Sequence, residues 1–306
     1  MALPPAVAAD LRAAGVPLQD DLPLARKTWW RVGGPADGWA EVGEIGVLSR
    51  ALAICDQARV PVFPMGNASN LLVGDGGVRG LVVRLTEGLS TAEPDSGDPP
   101  ILRVGGGLRL VSLLARAQRE GWTGLEMLAG VPGTVGGAVR MNAGTRLGEI
   151  SDVLLGITVL LPDGRVAELP ATALHLSYRH ADVPDRAIVV AARLRTTGAD
   201  PQESAEKVAE HLDYRARTQP VDVPTCGSTF RNPPGDSAGR LIEAAGLKGY
   251  RVGAAEVSAK HANFVVNLGG ATATQIRAVI DEMIRRVALH AGVVLVPEVH
   301  FVGDQA

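Results

Sequence analysis

Apolar residues recur along this chain in two rhythms, and the change from one to the other marks out its elements. Ile45 to Arg59 carries Val47, Leu48, Leu52 and Ile54 or Cys55 at the spacing of a helix with one buried face. The same rhythm predicts helices over 108–119, through Leu110, Leu113, Leu114 and Ala117, over 203–217, and over 274–290, through Ile276, Val279, Ile280, Met283 and Val287. Residues 236–245 read as a shorter capped helix stopped by Gly246. Residues 60–64, 80–85, 101–104 and 186–194 read as strands, and 153–161 and 165–169 flank Asp163-Gly164, a strong hairpin signal. The stretch 86–100, rich in Glu, Pro, Asp, Ser and Gly, reads as a surface loop. Residues 293–296 and 298–302 read as short strands interrupted by Pro297.

Two stretches follow neither rhythm. Gly130-Val-Pro132-Gly133-Thr134-Val-Gly136-Gly137-Ala138-Val-Arg-Met-Asn142-Ala143-Gly144 holds five glycines in fifteen residues. Such a stretch lets main chain approach a ligand closely, and rows of exposed N–H groups cradle phosphate oxygens. A glycine-rich loop that merely packs against a sheet is the equally weighted alternative. Upstream, Met65-Gly66-Asn67-Ala68-Ser69-Asn70-Leu71 sits at a strand end and offers small residues beside side-chain donors suited to an anion. Gly105-Gly-Gly107 follows a strand too, but a dinucleotide fingerprint needs glycine where Leu110 stands.

Length, charge and cysteine usage narrow the class. A chain of 306 residues suggests two or three compact units. A formal net charge of -3 disfavours a nucleic-acid partner. Two cysteines, Cys55 and Cys226, exclude a disulfide framework and suit a reducing cytosol. No apolar run approaches the ~18 residues of a membrane helix, and Met1-Ala-Leu-Pro-Pro is not the start of a signal peptide. The six histidines show neither i, i+4 pairing nor cysteine partners at zinc spacing, so no metal is expected.

Taken in order, several motifs resemble one family over nearly the whole chain. They are Arg31-Val-Gly-Gly-Pro-Ala36, Gly66-x-x-Ser69-Asn70-Leu71-Leu72, the 130–144 stretch, Tyr178-Arg179, Gly227-Ser228-Thr229-Phe230-Arg231-Asn232-Pro233, residues 238–249, Lys260-His-Ala-Asn-Phe-Val-Val-Asn267 and Pro297-Glu298-Val299. The family is the flavin-dependent UDP-N-acetylenolpyruvoylglucosamine reductases of bacterial cell-wall synthesis, commonly called MurB. The chain resembles its shorter branch, which lacks an insertion carrying a substrate-covering tyrosine.

The resemblance implies an α+β fold. Two FAD-binding subdomains, 20–85 and 86–197, together form a PCMH-type domain of the vanillyl-alcohol-oxidase superfamily, and 203–303 forms a C-terminal α+β substrate-binding domain. It implies non-covalent FAD held by Gly66, Asn67, Ala68, Ser69, Asn70 and Leu71 and by Gly130, Pro132, Gly133, Thr134, Gly136, Gly137, Ala138, Asn142, Ala143 and Gly144. NADPH reduces the flavin, and hydride then passes to the vinyl carbon of UDP-N-acetylglucosamine enolpyruvate. The product is UDP-N-acetylmuramate. A cytoplasmic monomer is expected.

The residue types suit this chemistry. Hydride addition beside a carboxylate builds enolate charge that a cation must face, and Arg179, read as lying just past a strand end, supplies a guanidinium fork. Ser228 is expected to protonate carbon, because an enolate is a strong base that needs only a placed donor. Glu298 is expected to stabilise the enol or orient the donor. Tyr178, Gly227 and Asn232 are expected near the UDP-sugar, with Lys260 and Asn263 as further neighbours. Read without the family, Arg179 is a surface arginine, Ser228 a turn cap and Glu298 a solvated carboxylate. Cys226 would draw notice as a nucleophile, but it lacks a partnered histidine.

Three departures stand out: Ala68 replaces a usual glycine, Ala181 replaces a usual serine, and Gln219, with Arg217 nearby, stands where the longer branch has a lysine. The competing readings are a non-catalytic FAD- or UDP-sugar-binding protein and a flavin oxidase of the same superfamily. Many such oxidases attach FAD through a histidine near the first loop, where this chain has none.

Overall fold

The computed structural model describes residues 2–305. By its internal contacts the chain forms two compact units. The first comprises the chain up to Asp21, Asp37–Asn67 and Gly80–Asp213; the second comprises Leu22–Ala36, Ala68–Arg79 and the chain from Tyr214 onward.

In the first unit a five-stranded antiparallel sheet runs in the order Val166–Pro170, Leu154–Leu160, Ile188–Arg195, Ile101–Gly105, Ala92–Ser96. The Asp163-Gly164 hairpin forms as expected, with Ile157 opposite Leu169. Helix Leu110–Glu120 buries Leu110, Leu113, Leu114 and Ala117, one face at helical spacing, and Gly121 at φ 71 ends it. These residues join Leu102, Val104, Val135, Val139 and Ile157 in one core. Each large aliphatic side chain so buried contributes about 1.5–3 kcal/mol relative to exposure. A second core gathers Leu48, Leu52 and Cys55 of helix Ile45–Gln57 with Leu81 and Val83.

The second unit holds a three-stranded sheet, Arg251–Val252, Ala255–Val257 and Val265–Asn267, beside helix Ala273–Ala291. That helix buries Ile276, Val279, Ile280, Met283 and Val287, and Thr272 with Gln275 forms its capping box. Leu71–Val73 pairs in parallel with His300–Val302 near the end of the chain. Trp30 anchors this core: its Nε1 donates to the Val265 carbonyl at 2.8 Å, and Asn267 Nδ2 donates to the Trp30 carbonyl at 2.8 Å.

Two expectations are corrected and one element is added. Residues 86–100 are not simply a loop, because Ala92–Ser96 forms a strand against Ile101–Gly105; Glu93 and Asp95 are exposed there, so its composition is that of a solvent-facing edge. Residues 293–296 form no strand: only Leu295 is buried, and the Val296 carbonyl serves Arg231 N–H at 3.0 Å. Helix Pro5–Ala13, whose Val7, Ala8 and Leu11 are buried, went unread.

Candidate active site

In the first unit Gly66 meets the second glycine-bearing loop. A Cβ at Gly66 would lie 2.5 Å from Thr134 Oγ1, so the strand end at Met65 and the start of the 134–144 turn touch through a glycine. Other glycines of the long stretch divide by what surrounds them. A Cβ at Gly136 would lie 3.1 Å from the carbonyl oxygens of Gly106 and Val189, and one at Gly144 would overlap the Gly148 carbonyl. Those two are required by packing. Gly137 is exposed, with Thr134 Oγ1 at an ordinary 3.7 Å, and presents an open face. Gly130 is exposed, and Pro132 and Gly133 are half-buried beside it. The segment after Thr134 is a short helix, Val135–Arg140, with Ala138 packed in the core. A surface of bare glycine backbone next to a threonine fits a flat, anionic cofactor such as FAD.

Asn142 plays another part. It is buried at φ 39; its Nδ2 donates to Glu149 Oε2 at 2.7 Å and to the Ser177 carbonyl at 3.0 Å, and its Oδ1 accepts from Ser151 N–H at 3.1 Å. The side-chain amide is committed to the protein, and beside it Ala143 and Gly144 lead into a two-residue strand. The Ser177 that Asn142 holds opens the turn carrying Tyr178 and Arg179.

Arg179 does not follow a strand end. The strand finishes at Pro170, and Arg179 sits in a turn closed by reciprocal Ser177–His180 backbone hydrogen bonds, at φ 58. Its guanidinium lies 5.0 Å from the centre of the exposed Tyr178 ring, donates to the Gly144 carbonyl at 3.4 Å and stands 4.0 Å from Glu149. Glu149 thus links Asn142 to Arg179, a role the sequence did not signal.

In the second unit the segment just after Ser228 pairs with Glu298 through backbone. Gly227, at φ 77, takes a conformation that side chains disfavour and delivers the chain into Ser228. Just beyond, Thr229–Arg231 pairs antiparallel with Val296–Glu298: Glu298 N–H donates to the Thr229 carbonyl at 2.8 Å, and Phe230 bridges Pro297. Ser228 and Glu298 are each half-buried. Asn70, expected at the cofactor, donates from Nδ2 to the Glu298 carbonyl at 3.0 Å, while its own carbonyl accepts from His300 N–H at 3.0 Å. Leu71 is the first residue of the strand that pairs with His300–Val302.

Asn67 Oδ1 stands 3.5 Å from Arg84 Nη2, and Ser69 is half-buried. Ala68 is buried at φ 49, so replacing glycine with alanine here carries a backbone cost. Asn232 Oδ1 accepts from Ala238 N–H at 3.1 Å at the start of helix Ala238–Ala244. Lys260 Nζ donates to the Ala216 carbonyl at 2.6 Å, and Asn263 is buried against Phe230. Burial pushes the Cys55 thiol up to about 11 and raises that of Cys226 as well, so neither is a ready thiolate. Among the described residues no cluster of His, Cys, Asp and Glu could hold a metal, and no helix is long and apolar enough to cross a membrane.

Comparison with known proteins identifies the family. The FAD binding domain family matches residues 36–170, and the family of the UDP-N-acetylenolpyruvoylglucosamine reductase C-terminal domain matches residues 219–302. A UDP-N-acetylenolpyruvoylglucosamine reductase of Anaeromyxobacter sp. (strain Fw109-5) is 44% identical over 93% of this chain and 88% of its own length. One from Agathobacter rectalis is 42% identical over 94% of each. The crystal structure of UDP-N-acetylenolpyruvylglucosamine reductase (MurB) from Thermus caldophilus superposes with a TM-score of 0.80 at 38% identity, covering 94% of this chain and 99% of that one. The chain therefore belongs to the UDP-N-acetylenolpyruvoylglucosamine reductase family, FAD-dependent oxidoreductases built from an FAD-binding domain and a family-specific C-terminal domain.

Proposed function

We propose that this chain reduces UDP-N-acetylglucosamine enolpyruvate to UDP-N-acetylmuramate with NADPH as reductant, in the cytoplasm, as a monomer, for peptidoglycan synthesis. Segments 20–85 and 86–197 serve as the two cofactor subdomains and 203–303 as the substrate domain. Gly66, Asn67, Ala68, Ser69, Asn70 and Leu71 with Gly130, Pro132, Gly133, Thr134, Gly136, Gly137, Ala138, Asn142, Ala143 and Gly144 hold FAD, Asn70 and Asn142 by shaping the loops through the hydrogen bonds of their amides. When bound, FAD supplies the hydride, taken from NADPH, to the enolpyruvyl double bond.

The chain's own groups manage charge and the proton. Arg179 meets the substrate carboxylate as enolate charge grows on it; a fixed guanidinium does so without reorganising. The Ser228 hydroxyl gives its proton to the carbon next to the carboxylate, and Glu298 orients that hydroxyl. Tyr178, Gly227 and Asn232 bound the UDP-sugar. The observation that supports this reading is the backbone hydrogen bond from Glu298 N–H to the Thr229 carbonyl at 2.8 Å, which ties the residue immediately after the expected proton donor to the expected carboxylate partner.

The test is direct. Purified protein should be yellow, with flavin released on denaturation; NADPH should bleach it, and UDP-N-acetylglucosamine enolpyruvate should restore the colour. Ser228→Ala should leave bleaching intact and slow recolouring about 10²–10⁴-fold. Equal loss in both half-reactions removes Ser228 from the proton-donor role.

A further inference from the structure

The Ser228 turn is followed at once by residues whose backbone is gripped by one side chain. Asn263 Nδ2 donates to the Phe230 carbonyl at 2.8 Å, and its Oδ1 accepts from Phe230 N–H at 3.0 Å, so one amide satisfies both backbone groups of a single residue. The Asn263 carbonyl takes Thr229 N–H at 2.8 Å. Asn263 is itself fixed, since its N–H donates to His261 Nδ1 at 3.2 Å. Burial, with Lys248 nearby, holds His261 below the ordinary histidine value, which keeps that nitrogen an acceptor. Asn263 is 3% exposed and Phe230 1%. Neither is open to solvent, so water cannot readily replace these bonds.

The bonds have a direction in which they act. Thr229 receives Asn263 on its N–H and Glu298 on its carbonyl, and Ser228 is the residue immediately before it. Without the Asn263 side chain, Phe230 would have two buried backbone groups to satisfy, and Thr229 would keep only its main-chain bonds to Asn263 and Glu298.

We infer that Asn263 is a positioning residue for substrate protonation: its amide, clamped on Phe230, sets where Ser228 presents its hydroxyl. The inference rests on Ser228 being the proton donor, and it deepens that reading without touching the substrate itself. A displacement of about 1 Å in such a group slows a chemical step about 10²-fold. Asn263→Asp keeps the acceptor for Phe230 N–H and loses the donor to its carbonyl; Asn263→Ala loses both.

The experiment uses the flavin-loaded full chain. Recolouring by UDP-N-acetylglucosamine enolpyruvate should slow about 10–100-fold in Asn263→Ala, less in Asn263→Asp, with bleaching by NADPH unchanged. Amide hydrogen exchange of the peptide covering 227–232 should accelerate in both variants, a readout independent of turnover. In a double-mutant cycle, Asn263→Asp should add little to the defect of Ser228→Ala, because the two act on one event. Defects that multiply, or wild-type recolouring by Asn263→Asp with unchanged exchange, overturn the inference. Should Asn263→Ala fail to fold, the Asn263→Asp cycle decides alone. Wild-type recolouring by Ser228→Ala itself is the separate signature of failure of the proton-donor assignment.

Discussion

Asn70 donates from Nδ2 to the main-chain carbonyl of Glu298 at 3.0 Å, across 228 residues of sequence. A residue of the first small-residue loop thereby steadies the residue expected to guide the proton. Asn70→Ala should keep its flavin, lose about 1 kcal/mol of stability and recolour about tenfold more slowly with the enolpyruvyl substrate. Flavin content and stopped-flow absorbance check this. Loss of flavin with normal recolouring would make Asn70 a cofactor ligand instead.

Gly66 meets Thr134 with no room for a methyl group: a Cβ would sit 2.5 Å from Oγ1 and 3.3 Å from Cγ2. Thr134 is buried and cannot swing away. Gly66→Ala should weaken FAD binding about tenfold or more, read by fluorescence titration of apoprotein. Adding Thr134→Ala removes both obstructing atoms and should recover part of that loss. If the double variant binds no better than Gly66→Ala, steric contact is not the cause.

Ala68 holds φ 49, where a Cβ costs about 1–2 kcal/mol. Ala68→Gly removes that strain and adds unfolded-chain entropy of about 0.5–1 kcal/mol. The net expectation is a stabilisation of about 0.5–1 kcal/mol, visible as a higher urea midpoint. A lower midpoint would show that the buried methyl group packs more favourably than its backbone is strained.

Arg179 has its guanidinium between the Gly144 carbonyl and Glu149. Arg179→Gln should slow recolouring about 10²–10³-fold and leave bleaching by NADPH alone. Arg179→Lys, which keeps the charge and loses the fork, should fall between the two. Stopped-flow traces in which only bleaching slows would contradict the assignment.

Asp75 caps helix Ala273–Ala291 from a distant part of the sequence, accepting from Ala273 N–H at 2.8 Å, Thr274 N–H at 2.9 Å and Thr274 Oγ1 at 2.8 Å. Burial pushes its carboxyl up, but the N–H groups of Thr274 and Ala273 and the hydroxyls of Thr274 and Thr272 outweigh this and hold it below the ordinary value. A carboxyl depressed in the folded chain contributes fully above the ordinary range near pH 4, and that contribution is lost as pH falls through the depressed value. Asp75→Ala should cost about 0.5–2 kcal/mol at neutral pH. The gap from wild type should shrink on acidification, followed by thermal unfolding. A gap independent of pH would mean that charge is not what caps the helix.

Local pattern was enough for much of this molecule. The faces of helices Ile45–Gln57, Leu110–Glu120 and Ala273–Ala291, the Asp163-Gly164 hairpin and both small-residue loops were legible, because each rests on neighbours within a few residues. The order of short motifs along the chain likewise carried the family. What only the tertiary structure decided is which polar side chains the protein uses on itself. Asn70, Asn142 and Asn263 all read as groups free to meet a ligand, yet their amides bond main chain 228, 35 and 33 residues away. Nor could sequence show that neighbouring carbonyls crowd where a Cβ would stand at Gly136 and Gly144. An amide looks the same in sequence whether its partner is a cofactor or a distant peptide group, and only folding brings that second partner within 3 Å or so.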